Sequence, residues 1–381
     1  MTDYRSFRVD CIVGARPNFV KIAPIMRALA KHPGLTTRLI HTGQHYDFQM
    51  NEVFFKELDI PEPDINLEIG GGSNTEQTAR IMLALEPVWK ELRPDLLLVV
   101  GDVNSTLAAT LVATKLLIPV AHVEAGLRSF DRAMPEEVNR LATDRLSDLL
   151  FVTERAGLEN LAKESVPSEQ VTFVGNVMID TLFACLPRAI SPEQTFGEIG
   201  VGAEFISAAK AKGFGFVTLH RPSNVDDPVK LKSLLETLAR ISQKLPLVFP
   251  VHPRTKAMIA SGGLGGLIET PNIVTSPPLS YLRAIGLMRD ARFVATDSGG
   301  VQEETTALGT PCLTVRENTE RPITIEEGTN LLIGTNPAAL LAAVDDLLAN
   351  GGKKGRVPEL WDGKAAERIA EKIVAFLAGQ Q

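Results

Sequence analysis

Short apolar runs, each ending on a small or polar residue and followed by apolar positions three and four apart, recur along this chain. Residues 9–13 run into Gly14-Ala15-Arg16-Pro17, after which Ile22, Ile25, Met26 and Leu29 fall on one helical face. The same alternation predicts strands at 38–42, 96–100, 119–123 and 149–153, with helices over 75–92 and 105–117 between them. Such runs, alternating with helices, predict a parallel sheet covered on both faces. Around 186–213 the periodicity weakens while Pro, Gly, Glu and Lys accumulate, which predicts a hinge. A second series follows. Residues 215–219 lead to His220, 247–251 to His252, 292–296 to Asp297 and 312–315 to Arg316. Ala366, Ile369, Ile373 and Leu377 then mark a closing amphipathic helix over 363–377.

At 381 residues the chain is too long for one core, so two domains are expected. A net charge of -7 argues against nucleic acid or an anionic membrane as partner, because phosphate neutralisation needs a concentrated basic face. Charge at the start of the chain, where a secretion signal would be apolar, points to the cytoplasm. Cys11, Cys185 and Cys312 show no CxxC pairing and are read as small buried residues.

In open parallel sheets ligands bind beyond the carboxyl ends of the strands, so the polar residues there are the candidates for chemistry. In Thr296-Asp297-Ser298-Gly299-Gly300 a strand ends, two glycines admit a ligand to the backbone, and a helix begins whose amides favour a diphosphate. Glu304, one turn on, is placed to accept from ribose hydroxyls. An ordinary strand-to-helix turn has the same pattern, whereas a serine nucleophile would call for a GxSxG elbow that is absent. Arg16 and Lys21 are candidate anion contacts at a helix start that Pro17 favours, and Arg321 is a third cation in a loop. His220 and His252 follow strands without the ligand spacing of a metal site, and Gly43 interrupts any helix that would align His41 with His45; no metal is expected. Between His122 and Arg140 the charge is dense. Pro135 opens a helix in which Glu136 and Glu137 favour the positive end, Glu136 is four residues from Arg140, and Val138 and Leu141 face the core. That leaves Glu124, just past its strand and before Ala125-Gly126, and Asp102, after Val99-Val100-Gly101, without a structural purpose.

Together these segments resemble the non-hydrolysing UDP-N-acetylglucosamine 2-epimerases. The match runs from Val13 to about Gly334 through Gly14-Ala15-Arg16-Pro17, His41-Thr42-Gly43-Gln44-His45, Gly101-Asp102, His122-Val123-Glu124-Ala125-Gly126-Leu127-Arg128, Pro135-Glu136-Glu137, Thr218-Leu219-His220-Arg221, Thr296-Asp297-Ser298-Gly299-Gly300 and Thr319-Glu320-Arg321-Pro322. The resemblance implies an α/β fold of the GT-B kind: Rossmann-like domains over 1–180 and 181–361, a cleft between them, and a terminal helix over 362–381 that packs back on the first. It implies interconversion of UDP-GlcNAc and UDP-ManNAc through elimination of UDP to 2-acetamidoglucal and its re-addition, with no cofactor and with a homodimer as the working form. By motif it assigns Asp102, Glu124, Glu136 and His220 to catalysis. Arg16, Lys21, Ser298, Gly299, Gly300, Glu304 and Arg321 go to substrate binding, and Gln44 and His45 to a regulatory site. The chain departs from the family at Gly71-Gly72-Ser73-Asn74, where a basic residue usually serves that regulatory site, and at residues 278–284, near the expected uracil.

Competing expectations are a sister 2-epimerase of UDP-2,3-diacetamido-2,3-dideoxyglucuronate, a hydrolysing epimerase, a GT-B glycosyltransferase and a nucleotide-sugar sensor. The intact Glu320-Arg321-Pro322 favours UDP-GlcNAc, the paired Glu124 and Glu136 argue against a transferase, and a sensor has no reason to keep His220 and three carboxylates together.

Overall fold

β1 (Phe7–Val13) is buried over its last five residues and β4 (Leu96–Val100) over all five, as strands covered on both faces must be. The protein is described here by a computed structural model covering residues 6–44 and 55–380. It divides into two units, Met1–Ala184 with Glu359–Gln381, and Cys185–Pro358.

In the first unit, β2 (Leu35–His41), β3 (Ile65–Asn66), β5 (Val120–Ala125), β6 (Leu149–Val152) and β7 (Val171–Phe173) complete a parallel sheet of order β3-β2-β1-β4-β5-β6-β7. Ile81, Leu85 and Trp89 of the Asn74–Glu91 helix pack with Ile12, Ile40, Leu97 and Val99 in its core. The strand order reverses between β1 and β4, which is where such sheets open a crevice. The loops leaving those strands carry Gly14-Ala15 and Gly101-Asp102. The Ala365–Ala378 helix belongs to this unit: Asp180 accepts from the amides of Ala365 (3.2 Å) and Ala366 (2.7 Å), and Ile369, Ala370, Ile373 and Leu377 are buried.

The second unit repeats the plan. β8 (Gly215–Thr218), β9 (Leu247–Pro250), β10 (Ile273–Ser276), β11 (Phe293–Thr296), β12 (Cys312–Thr314) and β13 (Asn330–Leu332) form a parallel sheet of order β10-β9-β8-β11-β12-β13. Its switch point lies between β8 and β11, which lead into Leu219-His220 and Asp297-Ser298.

Residues 186–213, read from sequence as a hinge, begin beside the division between the two units at Ala184 and Cys185, and they hold the Pro192–Glu198 and Ala203–Lys212 helices. Phe196 meets Phe205 and Phe214 edge to face, each at 5.6 Å, a local core built from residues too far apart for a periodicity window. The strands missing from the sequence reading, β3, β7, β10 and β13, are the four sheet edges. Each has two to four residues and is at most partly buried, so none makes a continuous apolar run.

All three cysteines are buried and none forms a disulfide. Among the described residues no helix is long and apolar enough to cross a membrane.

Candidate active site

In the first unit the sequence after β1 folds into a side-chain-capped turn. Asn18 Oδ1 accepts from the amides of Gly14 (3.1 Å) and Ala15 (3.0 Å), while its Nδ2 donates to the Val100 carbonyl (2.9 Å). This ties the ends of β1 and β4 together across the switch point. Arg16 opens the Arg16–Leu29 helix, and its side chain lies outside the described structure. Lys21, read from sequence as an anion contact, forms a buried ion pair with Glu124.

Glu124 is the most constrained of the candidate carboxylates. It is 5% exposed, has φ +78°, and sits where β5 slips register against β6 between Val123 and Ala125. A left-handed conformation in a non-glycine residue costs ~1–3 kcal/mol and persists only where surrounding contacts enforce it. Gly101 (φ +69°) faces this pair; its backbone angle favours glycine, and a β-carbon there would stand close to both, 3.0 Å from Lys21 Nζ and 3.2 Å from Glu124 Oε2.

The Pro135–Leu146 helix presents an inner face unlike the expected one. Glu137, Asn139, Arg140, Thr143 and Asp144 are buried, whereas Val138 is 43% exposed. Several of these side chains pair with other polar groups. Arg140 Nη1 lies 3.3 Å from Glu137 and 3.6 Å from Asp102, rather than pairing with Glu136. Glu137 accepts from the amides of Ser129 (2.9 Å) and Phe130 (3.0 Å), and Asn139 donates to the Asp102 carbonyl (2.8 Å). Glu136 and Asp102 are half-buried. Gln44 Oε1 accepts from the amide (3.1 Å) and hydroxyl (2.7 Å) of Ser105; His45 lies outside the described residues.

In the second unit Asp297 organises the switch point. Fully buried, it accepts from the amides of His220 (3.0 Å) and Arg221 (2.9 Å) and from Asn224 Nδ2 (3.0 Å), and its other oxygen lies 2.9 Å from His220 Nδ1. Burial pushes its carboxyl upward, but these bonds and the His220 ring outweigh it and hold the group below the ordinary aspartate value. His220 is thereby oriented by a carboxylate, with Nε2 the ring nitrogen turned away from it. Sequence reasoning noted Asp297 only as a strand-end group; its place in the Thr-Asp-Ser-Gly-Gly run was the available signal.

No side chain caps the Gly299–Leu308 helix. Its first-turn amides and the positive dipole end suit an anion. Arg321 lies over this turn, 2.9 Å from Glu303 and 2.5 Å from Glu320, and a β-carbon on Gly299 would come within 2.6 Å of its Nη1. Arg316 holds Glu320 from the other side at 2.9 Å. Glu304 is buried and accepts from the Tyr281 hydroxyl at 2.9 Å. Burial pushes its carboxyl up to about 7, against the opposing Tyr281 bond and with help from neighbouring Glu303. Among the described residues no three or more His, Cys, Asp or Glu side chains are grouped to hold a metal ion.

The first unit therefore holds Asp102 and the Lys21–Glu124 pair at the ends of β4 and β5, with Glu136 at the start of the Pro135–Leu146 helix, and the second holds His220, Ser298, Gly299, Gly300, Glu304 and Arg321.

The sequence model of the UDP-N-acetylglucosamine 2-epimerase family matches residues 27–374. The UDP-N-acetylglucosamine 2-epimerase of Methanocaldococcus jannaschii is 40% identical over 365 residues, covering 95% of this chain and 97% of its own. The UDP-2,3-diacetamido-2,3-dideoxy-D-glucuronate 2-epimerase of Pseudomonas aeruginosa is 39% identical, covering 96% of this chain and 99% of its own. A crystal structure of the M. jannaschii enzyme with UDP-GlcNAc and UDP superposes with a TM-score of 0.85 at 38% identity, over 97% of this chain and 100% of that one. The α/β, GT-B-like assignment of the two Rossmann-like units agrees with these neighbours.

Proposed function

The chain belongs to the UDP-N-acetylglucosamine 2-epimerase family, and from that premise we propose that it interconverts UDP-GlcNAc and UDP-ManNAc by eliminating UDP to 2-acetamidoglucal and re-adding it. It is an isomerase of UDP-sugars. The observation that carries the mechanism is the buried, left-handed Glu124 at the end of β5, in the same unit as Asp102 and Glu136.

In the forward step a carboxylate takes the proton from C2, the C2–H electron pair forms the C1–C2 double bond, and the C1–O bond breaks with its pair leaving on UDP. In the return step the UDP oxygen adds to C1 and a proton is delivered to the opposite face of C2. A proton removed from one face and restored to the other needs acid–base groups on both sides of the ring, which more than one carboxylate provides. A positioned base contributes typically ~10²–10⁴-fold. Departure of UDP is assisted by cations and backbone donors aimed at the charge that develops on the diphosphate, the role assigned to Arg16, Arg321 and the Ser298-Gly299-Gly300 turn. In this reading His220, held by Asp297, joins the catalytic set, and Glu304 accepts from the ribose hydroxyls. Gln44 and His45 form the regulatory part of the proposal.

Incubation with UDP-GlcNAc alone in D2O, followed by proton NMR, is expected to yield UDP-ManNAc carrying deuterium at C2. A preparation that binds UDP but gives neither product nor exchange overturns the proposal. The P. aeruginosa relative, almost as similar, supports a second reading in which UDP-2,3-diacetamido-2,3-dideoxyglucuronate is the substrate. The same experiment with that sugar decides between them, and turnover of it alone moves the assignment.

Arg321 gives a narrower expectation. Gly299→Ala puts a methyl group where the guanidinium rests and displaces a charge-assisted donor, worth ~1.5–3 kcal/mol. UDP binding by calorimetry is expected to weaken about tenfold or more. Unchanged affinity removes Arg321 from the diphosphate site.

A further inference from the structure

The proposed chemistry leaves the buried His122–Asp144 pair of the first unit unused. His122 and Asp144 are 0% and 2% exposed, and so reach no substrate. His122 Nδ1 lies 2.6 Å from Asp144 Oδ1, and Nε2 lies 2.9 Å from the Gly101 carbonyl. The ring thus bridges the Asp144 carboxylate and the Gly101 carbonyl. The second oxygen of Asp144 accepts from the Gly126 amide (3.0 Å) and pairs with Arg128 Nη2 (2.7 Å), which also grips Glu164. Burial pushes the Asp144 carboxyl up, yet the His122 bond and charge, then Arg128 and the Gly126 amide, bring it below the ordinary value.

The two backbone groups held this way flank the candidate carboxylates. Gly101 precedes Asp102, and Gly126 follows Glu124 by two residues. Gly101, Glu124 and Gly126 have φ +69°, +78° and +80°, three left-handed residues at the ends of β4 and β5. Backbone of this kind keeps its shape only when its surroundings over-determine it. Asp144 stands on the Pro135–Leu146 helix that also carries Glu136, and Asn139 of that helix holds the Asp102 carbonyl.

We propose that His122 and Asp144 are positioning residues for the epimerisation: they pin the Gly101 carbonyl and the Gly126 amide to the helix bearing Glu136, making Asp102, Glu124 and Glu136 one rigid set. The proposal rests on the reading of those carboxylates as acid–base groups. A misplacement of about 1 Å in such a set costs about 10²-fold in rate.

His122→Gln and Asp144→Asn each break one arm of the pin. Both are expected to lower kcat by about 10–100-fold with KM little changed. Steady-state loss alone would also follow from a partly unfolded sample. The deciding readout is therefore the isotope effect with substrate deuterated at C2, which does not depend on the active fraction. It is expected to rise in both variants as proton transfer becomes more limiting. A kcat loss matched by the unfolded fraction with a wild-type isotope effect overturns the proposal. A wild-type protein that epimerises neither UDP-sugar overturns the functional reading itself, a result distinct from active wild type with unaltered variants.

Discussion

Glu124→Gln is expected to abolish deuterium incorporation at C2 and to reduce epimerisation by at least ~10²–10⁴-fold, the typical contribution of a positioned base. The amide keeps the size and one acceptor oxygen of the carboxylate but takes up no proton. The substitution also leaves the Lys21 ammonium buried without its counter-charge. Breaking a buried pair from one side costs ~3–5 kcal/mol, so the melting temperature is expected to fall as well. The double variant Lys21→Met/Glu124→Gln separates the two effects. It removes both charges, is expected to recover most of the thermal stability, and should remain unable to exchange the proton. UDP affinity measured alongside shows whether the nucleotide site survives. Exchange within tenfold of wild type in folded Glu124→Gln removes Glu124 from proton transfer and leaves Asp102 or Glu136 as the base.

The contrast between Glu124 and its partner shows what one sequence reveals. Glu124, Asp102, His220 and Asp297 were legible because an apolar run that ends on a polar residue is a local pattern, and a parallel sheet gives that pattern a place. What each touches was not legible. Lys21 and Glu124 are 103 residues apart, and His122 and Asp144 are 22 apart on different elements. The helix at 135–146 shows the same limit from the other side. Hydrophobic pattern put Val138 and Leu141 inward, but the buried side chains are Glu137, Asn139, Arg140 and Asp144, which bond to one another and to nearby groups. Burial there follows hydrogen-bond accounting, and that accounting depends on neighbours distant in sequence. Sheet cores were readable and sheet edges were not, because two to four half-buried residues carry little periodicity.

Glu304→Gln is expected to stabilise the protein at alkaline pH while weakening UDP binding. In the fold the Glu304 carboxyl is raised from near 4.5 to about 7, chiefly by burial. Below about pH 4.5 the group is protonated folded or unfolded and contributes no difference. Between 4.5 and 7 the unfolded chain releases the proton while the folded one keeps it, so folding loses stability as pH rises. Above about 7 the full penalty is present, roughly 3 kcal/mol by the usual conversion. Glutamine carries no such penalty and still offers an oxygen to the Tyr281 hydroxyl. The variant should therefore melt above wild type at pH 8, with the gap closing as pH falls to 5. The proposed ribose contact predicts the opposite sign for binding. Two hydroxyl donors favour the ionised carboxylate, so wild-type UDP affinity should fall as pH drops through 7, and Glu304→Gln should bind at least about tenfold more weakly at pH 8. Tyr281→Phe removes the bond that opposes the rise, so the wild-type binding transition should move to higher pH. A stabilised variant with unchanged UDP affinity would place the ribose elsewhere, and a variant no more stable at pH 8 would mean that Glu304 is paid for by a contact other than Tyr281.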